Sequence, residues 1–421
     1  MPKVQTGSGF PAKIIKLENG LTVIHQQIVA TPVAVVDVWV RAGASREPDI
    51  WSGMAHFLEH MIFKGTEKQA PGMFDQIIEN LGGMTNAATS HDYAHFFITT
   101  AAQYLEQSLP PLADLLLHPI IPEDEFLRER DVVIEEIRQA ADNPDWVAFQ
   151  ALIEIVYQQH PYGRPVLGTE KSLMRRAPKE MRRFHACYYQ PENMTVVIVG
   201  NIEREKAISL VSEAFDSFPV PDFCPELKIE AEPPMIEVRR RELCLPRLEL
   251  ARLMMAWVGP GVEQLSDAYG LDLLSVLLAE GRSSRLVREL REERKWVQNI
   301  SCNFSLQQES SLFTISAWLE PQYLKAVEEL ICDRLLALQV TPVSEAEISR
   351  CKRLLCNDYA FSTETPSQLA GLYGYYHTIA SAEMAVIYPE KIMSFQSEDL
   401  QRIASQYLSP HYYAVVSLKP I

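Results

Sequence analysis

The feature that most restricts how this chain can fold is a likeness between its two halves. Tyr188-Tyr189-Gln190-Pro191-Glu192-Asn193-Met194-Thr195-Val196-Val197-Ile198-Val199 has a counterpart in Tyr407-Leu408-Ser409-Pro410-His411-Tyr412-Tyr413-Ala414-Val415-Val416-Ser417-Leu418. In each segment a helical stretch ends at a proline turn and enters a β-branched run, and the two prolines lie 410 − 191 = 219 residues apart. Placement near the end of each half predicts an internal duplication. At 421 residues the chain also exceeds one ordinary core, so two domains of about 200 residues each are expected. Residues 217 to 235 contain five prolines (Pro219, Pro221, Pro225, Pro233 and Pro234). Their fixed φ and missing donors make that stretch an extended linker. The expected division is a first domain over 1–218, a linker over 219–235 and a second domain over 236–421.

Composition narrows the function classes. Hydrophobic residues make up 47% and charged residues 22%, as in a folded globular protein. A formal charge of −16 argues against a nucleic-acid surface, and runs such as Arg239-Arg240-Arg241 read as solvated faces. Seven cysteines, an odd count with no CxxC spacing, argue against a disulfide framework or a thiolate metal site and for a reducing compartment. Met1-Pro2-Lys3-Val4-Gln5-Thr6-Gly7 has neither an apolar signal core nor an Arg-rich transit pattern, and no apolar run approaches the length of a membrane span. The expected location is cytoplasmic.

Leu21 to Gln26 and Val33 to Val40 alternate or run apolar in strand fashion, punctuated by Gly20 and Gly43. Ala94 to Thr100 reads as another strand after the polar segment Thr85 to Asp92, and helices dominate from Ala102 to about Ala140. Strands and long helices mixed this way, with the early strands hairpin-like, predict an α+β fold.

The chemistry is carried by His56-Phe57-Leu58-Glu59-His60. On a helix, positions i and i+4 share a face, so both imidazoles can reach one ion. Zinc takes imidazole nitrogen, and a peptidase site needs three protein ligands and an open position for water. Glu59 is close enough to act as base toward that water. Phe57, Leu58, Met61, Ile62 and Phe63 make the helix apolar nearly all round, so it should be buried, with Ser52 as its cap. Buried imidazoles and a carboxylate need partners, which a metal provides.

Helical geometry sorts the downstream carboxylates in search of the third ligand. Glu129 and Glu136 are seven apart and share nearly one azimuth, whereas Glu135 is turned about 100° away toward solvent. Glu136 is accordingly the expected ligand, and Glu129 a carboxylate supporting the site. The competing reading is a charged helix face shared with Arg128, Arg130 and Arg138. His91, His95 and the Tyr373 to His377 cluster read as packing or substrate-wall residues rather than ligands.

His56-Phe57-Leu58-Glu59-His60-Met61-Ile62-Phe63-Lys64-Gly65-Thr66 resembles the signature of the pitrilysin/insulinase family of zinc peptidases, which includes the mitochondrial processing peptidase. The family's last ligand lies 76 residues after the second histidine, and 136 − 60 = 76 falls on Glu136; Glu129 matches the family's additional glutamate. Gly82-Gly83-Met84-Thr85-Asn86-Ala87-Ala88-Thr89 is similar to the edge-strand segment where a peptide adds as an extra strand, which implies that Asn86 and Ala87 lie beside the substrate backbone. Pro161-Tyr162-Gly163, Leu167-Gly168-Thr169, Gly281-Arg282-Ser283-Ser284-Arg285-Leu286 and Leu290-Arg291-Glu292-Glu293-Arg294 are family-like too.

The resemblance implies two homologous α+β domains of sheet plus packed helices, forming half of a clamshell chamber. Only the first domain keeps the metal helix, since its counterpart around Gly270 to Ala279 has no histidine. One zinc per chain and hydrolysis of extended peptides or presequences follow, with Glu59 as general base. The alternative is a non-catalytic structural subunit like the core proteins of a respiratory complex.

There is one departure. The family's substrate-contacting Arg is matched by Arg291, but its Tyr seven residues later is Gln298 here. In two-domain members the Arg/Tyr face comes from a partner chain. The resemblance therefore implies a homologous subunit carrying the Arg/Tyr pair, as a heterodimer, or otherwise a homodimer. No nucleic-acid or membrane-spanning partnership is expected.

Overall fold

In the computed structural model, which describes residues 3–5, 9–223, 227, 229–246 and 248–421, the β-branched runs assemble into two mixed sheets. The expectations that rest on Met1, Pro2, Thr6, Gly7, Cys224 and Pro225 lie outside the described residues. The first sheet contains β1 (Lys3–Gln5), β2 (Lys13–Lys16), β3 (Thr22–Gln27), β4 (Val33–Val40), β5 (Met84–Thr89), β6 (Ala94–Ala101) and β7 (Met194–Gly200). Its order is β1-β2-β3-β7-β4-β6-β5, so β5 is an edge. Every residue of β7 is buried, as suits a continuous apolar strand covered on both faces. β7 lies parallel to β3 and antiparallel to β4. It thereby separates two strands expected to pair as a hairpin, because the most apolar strand takes the doubly covered centre.

The second sheet contains β8 (Arg239–Leu245), β9 (Ala251–Pro260), β10 (Val297–Leu306), β11 (Ser310–Leu319) and β12 (Ala414–Pro420), in the order β10-β11-β9-β12-β8. This repeats β5-β6-β4-β7-β3 strand for strand. The directions repeat as well: β12 is parallel to β8 and antiparallel to β9, as β7 is to β3 and β4. Pro191 and Pro410 stand just ahead of the equivalent strands β7 and β12, so the sequence likeness marks duplicated topology.

The two structural units are not contiguous in sequence. The first comprises residues 1–137, 164–228 and 362–386, and the second 138–163, 229–361 and 387–421. The expected division at 1–218 and 236–421 thus differs from the structural units by two exchanged helical segments. In the second unit, helix Pro144–Val156 buries Ala148, Leu152 and Val156 with Met254, Ala256, Ala414 and Val416 of the sheet. Asn143 caps its N-terminus, and Arg239 donates to the carbonyls of Ile155 (3.0 Å) and Val156 (2.8 Å) at its C-terminus. In the first unit, helix Pro366–Ile379 buries Ala370 and Tyr373 with Val35, Trp39 and Val197. There Arg41 donates to the carbonyls of His377 (2.8 Å) and Thr378 (3.0 Å). A Cβ on Gly374 would meet Trp39 Nε1 at 2.0 Å, so only glycine allows this approach.

The described residues between Ser217 and Val238 contain no helix or strand. Among the described residues no helix is long and apolar enough to cross a membrane. One expectation from cysteine usage is corrected: Cys187 is disulfide-bonded, while Cys244, Cys302, Cys332, Cys351 and Cys356 are free. The odd count concealed a bridge, since pairing depends on proximity in the fold and not on spacing.

Candidate metal centre

The motif occupies helix Met54–Ile62, and seven of its side chains (Met54, Ala55, His56, Phe57, Leu58, Met61 and Ile62) are buried, as the apolar pattern predicts. Burial of Phe57, Leu58, Met61 and Ile62 contributes about 1.5–3 kcal/mol each, which fixes the helix against the sheet. Its start differs from expectation. Ser52 makes no cap; the N-cap residue is Gly53 at φ 90°, and the buried Glu47 carboxylate accepts from the amides of Gly53 (2.9 Å) and Ala55 (2.6 Å). A carboxylate here satisfies orphan donors and complements the helix dipole.

Two further contacts set the helix start. Gly53 packs against Gly168, and a Cβ on Gly53 would meet the Leu167 carbonyl oxygen at 2.8 Å. Arg164 holds the loop that carries Glu47, donating to the carbonyls of Ala44 (3.1 Å) and Glu47 (2.9 Å) and to Asp49 (2.6 Å). Arg164 and the family-like stretch Leu167-Gly168-Thr169 therefore help to seat the motif helix.

His56 and His60 project from one face, their ring centroids 4.8 Å apart. The third member comes from helix Glu123–Ala141: Glu136 Oε2 lies 3.7 Å from His56 Nε2 and 3.6 Å from His60 Nε2. Donor atoms of the three residues all lie within 4.8 Å of one another. Glu136 Oε2 is buried and has no hydrogen-bond partner, which is the condition of an atom awaiting a cation. Two imidazoles and one carboxylate suit zinc with an open position, so the residues fit the metal that the motif implies. Glu135, on the adjacent azimuth, is exposed.

The supporting carboxylate is Glu129. Its Oε1 lies 2.9 Å from His60 Nδ1, and its Oε2 is 2.7 Å from Lys64 Nζ. Nδ1 is thereby committed and Nε2 turned toward Glu136. Burial pushes Glu129 up, but the hydrogen bonds from His60 and Lys64 outweigh it and hold the carboxyl below its usual range. Burial pulls His60 down, and the carboxylates of Glu129, Glu136 and Glu59 overcome it to raise the imidazole. His56 lacks such a partner, and burial lowers it to about 4. Glu129→Gln is expected to weaken metal affinity about 10–100-fold while the fold persists, measured by competition with a metal-binding dye.

Glu59 is half-buried and accepts from Thr89 Oγ1 at 2.5 Å. Burial raises its carboxyl, against that hydrogen bond and the nearby imidazoles. Asn86 and Ala87 sit on β5, the sheet edge, and the Ala87 amide donates to Asn86 Oδ1 (2.9 Å). Arg291 and Gln298 belong to the second unit. Arg291 lies in a π-helical segment, Val287–Glu293, and donates to Glu292, while the exposed Gln298 sits at a register shift of β10 against β11. Sequence reasoning missed Glu47, Lys64, Thr89 and Arg164. Only Lys64, one turn beyond His60, carried a local signal through its i+4 spacing.

The chain is similar to known proteins over most of its length. Residues 22–170 match the family model described as insulinase (peptidase family M16), and residues 177–355 match that described as the peptidase M16 inactive domain. "Zinc protease PqqE" of Helicobacter pylori is 31% identical over 413 residues, covering 96% of this chain and 92% of that protein. The crystal structure of a protease from H. pylori superimposes with a TM-score of 0.91 at 30% identity over the whole of both chains. Pitrilysin shares the fold, with a TM-score of 0.80 at 18% identity, across all of this chain and 46% of its own. Relatives named as zinc proteases support a zinc-peptidase kind of function. With two family models spanning most of its length and a relative aligned nearly end to end, the chain belongs to the M16 family of peptidases, the pitrilysin/insulinase family.

Proposed function

We propose that this chain is a zinc endopeptidase acting on extended peptides, with His56, His60 and Glu136 as ligands and Glu59 as general base. The observation that carries the reading is the convergence of two imidazoles on the unpartnered carboxylate oxygen of Glu136, with Glu59 on the helix of the two histidines. Zinc bound there would polarise the scissile carbonyl and acidify the attacking water. Glu59 takes the proton of that water and passes it to the leaving amine, and burial, which raises its carboxyl, suits both steps. Thr89 fixes the orientation of Glu59. The substrate adds as a strand to the free edge of β5, where its backbone replaces the Asn86 side chain at the Ala87 amide.

The chamber is completed by a homologous chain bearing the Arg/Tyr pair, a reading favoured by Gln298 standing where the resemblance calls for tyrosine. A glutamine amide donates a hydrogen bond but lacks the reach and acidity of a phenol. Mixing the purified chain with such a homologue and following cleavage of a quenched fluorescent peptide tests this reading. A rate gain abolished by chelator is expected, whereas full activity of the chain alone with no gain ends the heteromer reading.

A further inference from the structure

One histidine–carboxylate pair has been given no step in the reaction above. His95 on β6 places Nδ1 3.0 Å from Oδ1 of Asp37, a β4 residue only 3% exposed. The imidazole is clamped between two rings, stacked on Trp39 (centroids 4.2 Å apart) and on Phe97 (5.7 Å). Its position and rotation are thus fixed from three sides. Asp37 pairs in register with Phe97, and Trp39 with His95, so all four groups share one face of the sheet. That face is opposite the metal helix, because Ala94, Phe96 and Ile98, which alternate with these residues on β6, pack in the core with Phe57, Leu58 and Met61.

The two nitrogens of an imidazole point to opposite sides of the ring. With Nδ1 turned to Asp37 on β4, Nε2 lies on the far side of the ring from that carboxylate. No hydrogen bond to Nε2 is made among the described residues. On β5 the residue paired with His95 is Ala88, exposed and carrying only a methyl group. β5 is the sheet edge, so a strand added there lies two interstrand spacings, about 9.6 Å, from β6. An imidazole and a side chain of two or three carbons can meet across that gap above Ala88.

We propose that His95, oriented by Asp37, is a specificity-determining residue that hydrogen-bonds a polar substrate side chain of glutamine or glutamate type, at the substrate residue beside Ala88. The inference rests on the reading that substrate adds to β5. Trp39 and Phe97 cover the ring of His95, and Nε2 is the polar atom of this wall that stands beside Ala88. An apolar side chain would leave that nitrogen without its partner.

The test is a positional scan of one parent peptide, with Gln, Glu or Leu placed in turn at each residue. Zinc-loaded wild type and His95→Phe are compared by kcat/KM. The same peptides are titrated onto the zinc-loaded Glu59→Gln protein with and without His95→Phe. The expected result is a preference for Gln or Glu over Leu at one position, about tenfold, that falls to near unity with His95→Phe in both assays. The double variant Asp37→Leu/His95→Phe, which leaves no buried carboxylate unpaired, should give the same flattened ratio. An unchanged ratio in both variants, or no such position in the wild type, overturns the proposal. Discrimination seen in binding without any cleavage by the wild type, alone or mixed with a homologous chain bearing the Arg/Tyr pair, would overturn the peptidase reading and support this one. Absence of both binding and cleavage, with or without that homologous chain, overturns both.

Discussion

Glu59→Gln is expected to retain one zinc per chain while kcat falls by about 10²–10⁴-fold, the usual contribution of a positioned general base. The substitution is nearly isosteric. A glutamine carbonyl oxygen still accepts from Thr89 Oγ1, so the helix and its neighbours His56 and His60 keep their places. What is lost is the capacity to take a proton from water and return it to the departing amine. Metal analysis alongside single-turnover kinetics separates this outcome from loss of the metal. Turnover near the wild-type rate would remove Glu59 from the role of base.

The second large effect concerns the ligands. His56→Ala and His60→Ala should each lose stoichiometric zinc and all measurable hydrolysis. An independent readout is thermal stability. A metal that binds the folded chain at a thousandfold its dissociation constant stabilises it by about 4 kcal/mol, so the wild type should melt higher with zinc than with chelator. In either variant that zinc-dependent rise in Tm should vanish. His60→Ala leaves Glu129 paired with Lys64, so its fold should survive without metal. A variant that kept both zinc and the rise would show that the residue replaced is no ligand.

Much of this centre was legible in the sequence because it depends on local periodicity. The i and i+4 spacing of His56 and His60 and the azimuth that separates Glu136 from Glu135 are properties of any helix, and the structure places Glu135 in solvent and Glu136 at the histidines. The duplication was legible too, since Pro191 and Pro410 precede the equivalent strands β7 and β12.

What escaped is what tertiary structure decides. An apolar stripe shows that helix Pro144–Val156 buries a face, but not that it covers the sheet of the second unit while Pro366–Ile379 covers that of the first. Proximity in the sequence points to Ser52 as the cap, yet Glu47 reaches the helix from a loop pinned by Arg164. Asp37 and His95 meet only through strand register, so neither residue marks the other in the sequence.

The central claim is that a single metal, held by His56, His60 and Glu136, makes this chain a peptidase. The most direct measurement strips the protein with chelator, restores zinc in steps, and follows cleavage of an unstructured peptide against zinc bound. Activity should rise linearly and saturate at one zinc per chain in the wild type, with Glu136→Gln failing to reach that plateau. Cleavage that persists in excess chelator, or a fully zinc-loaded wild type that cleaves no peptide alone or with its homologous partner, would contradict the account.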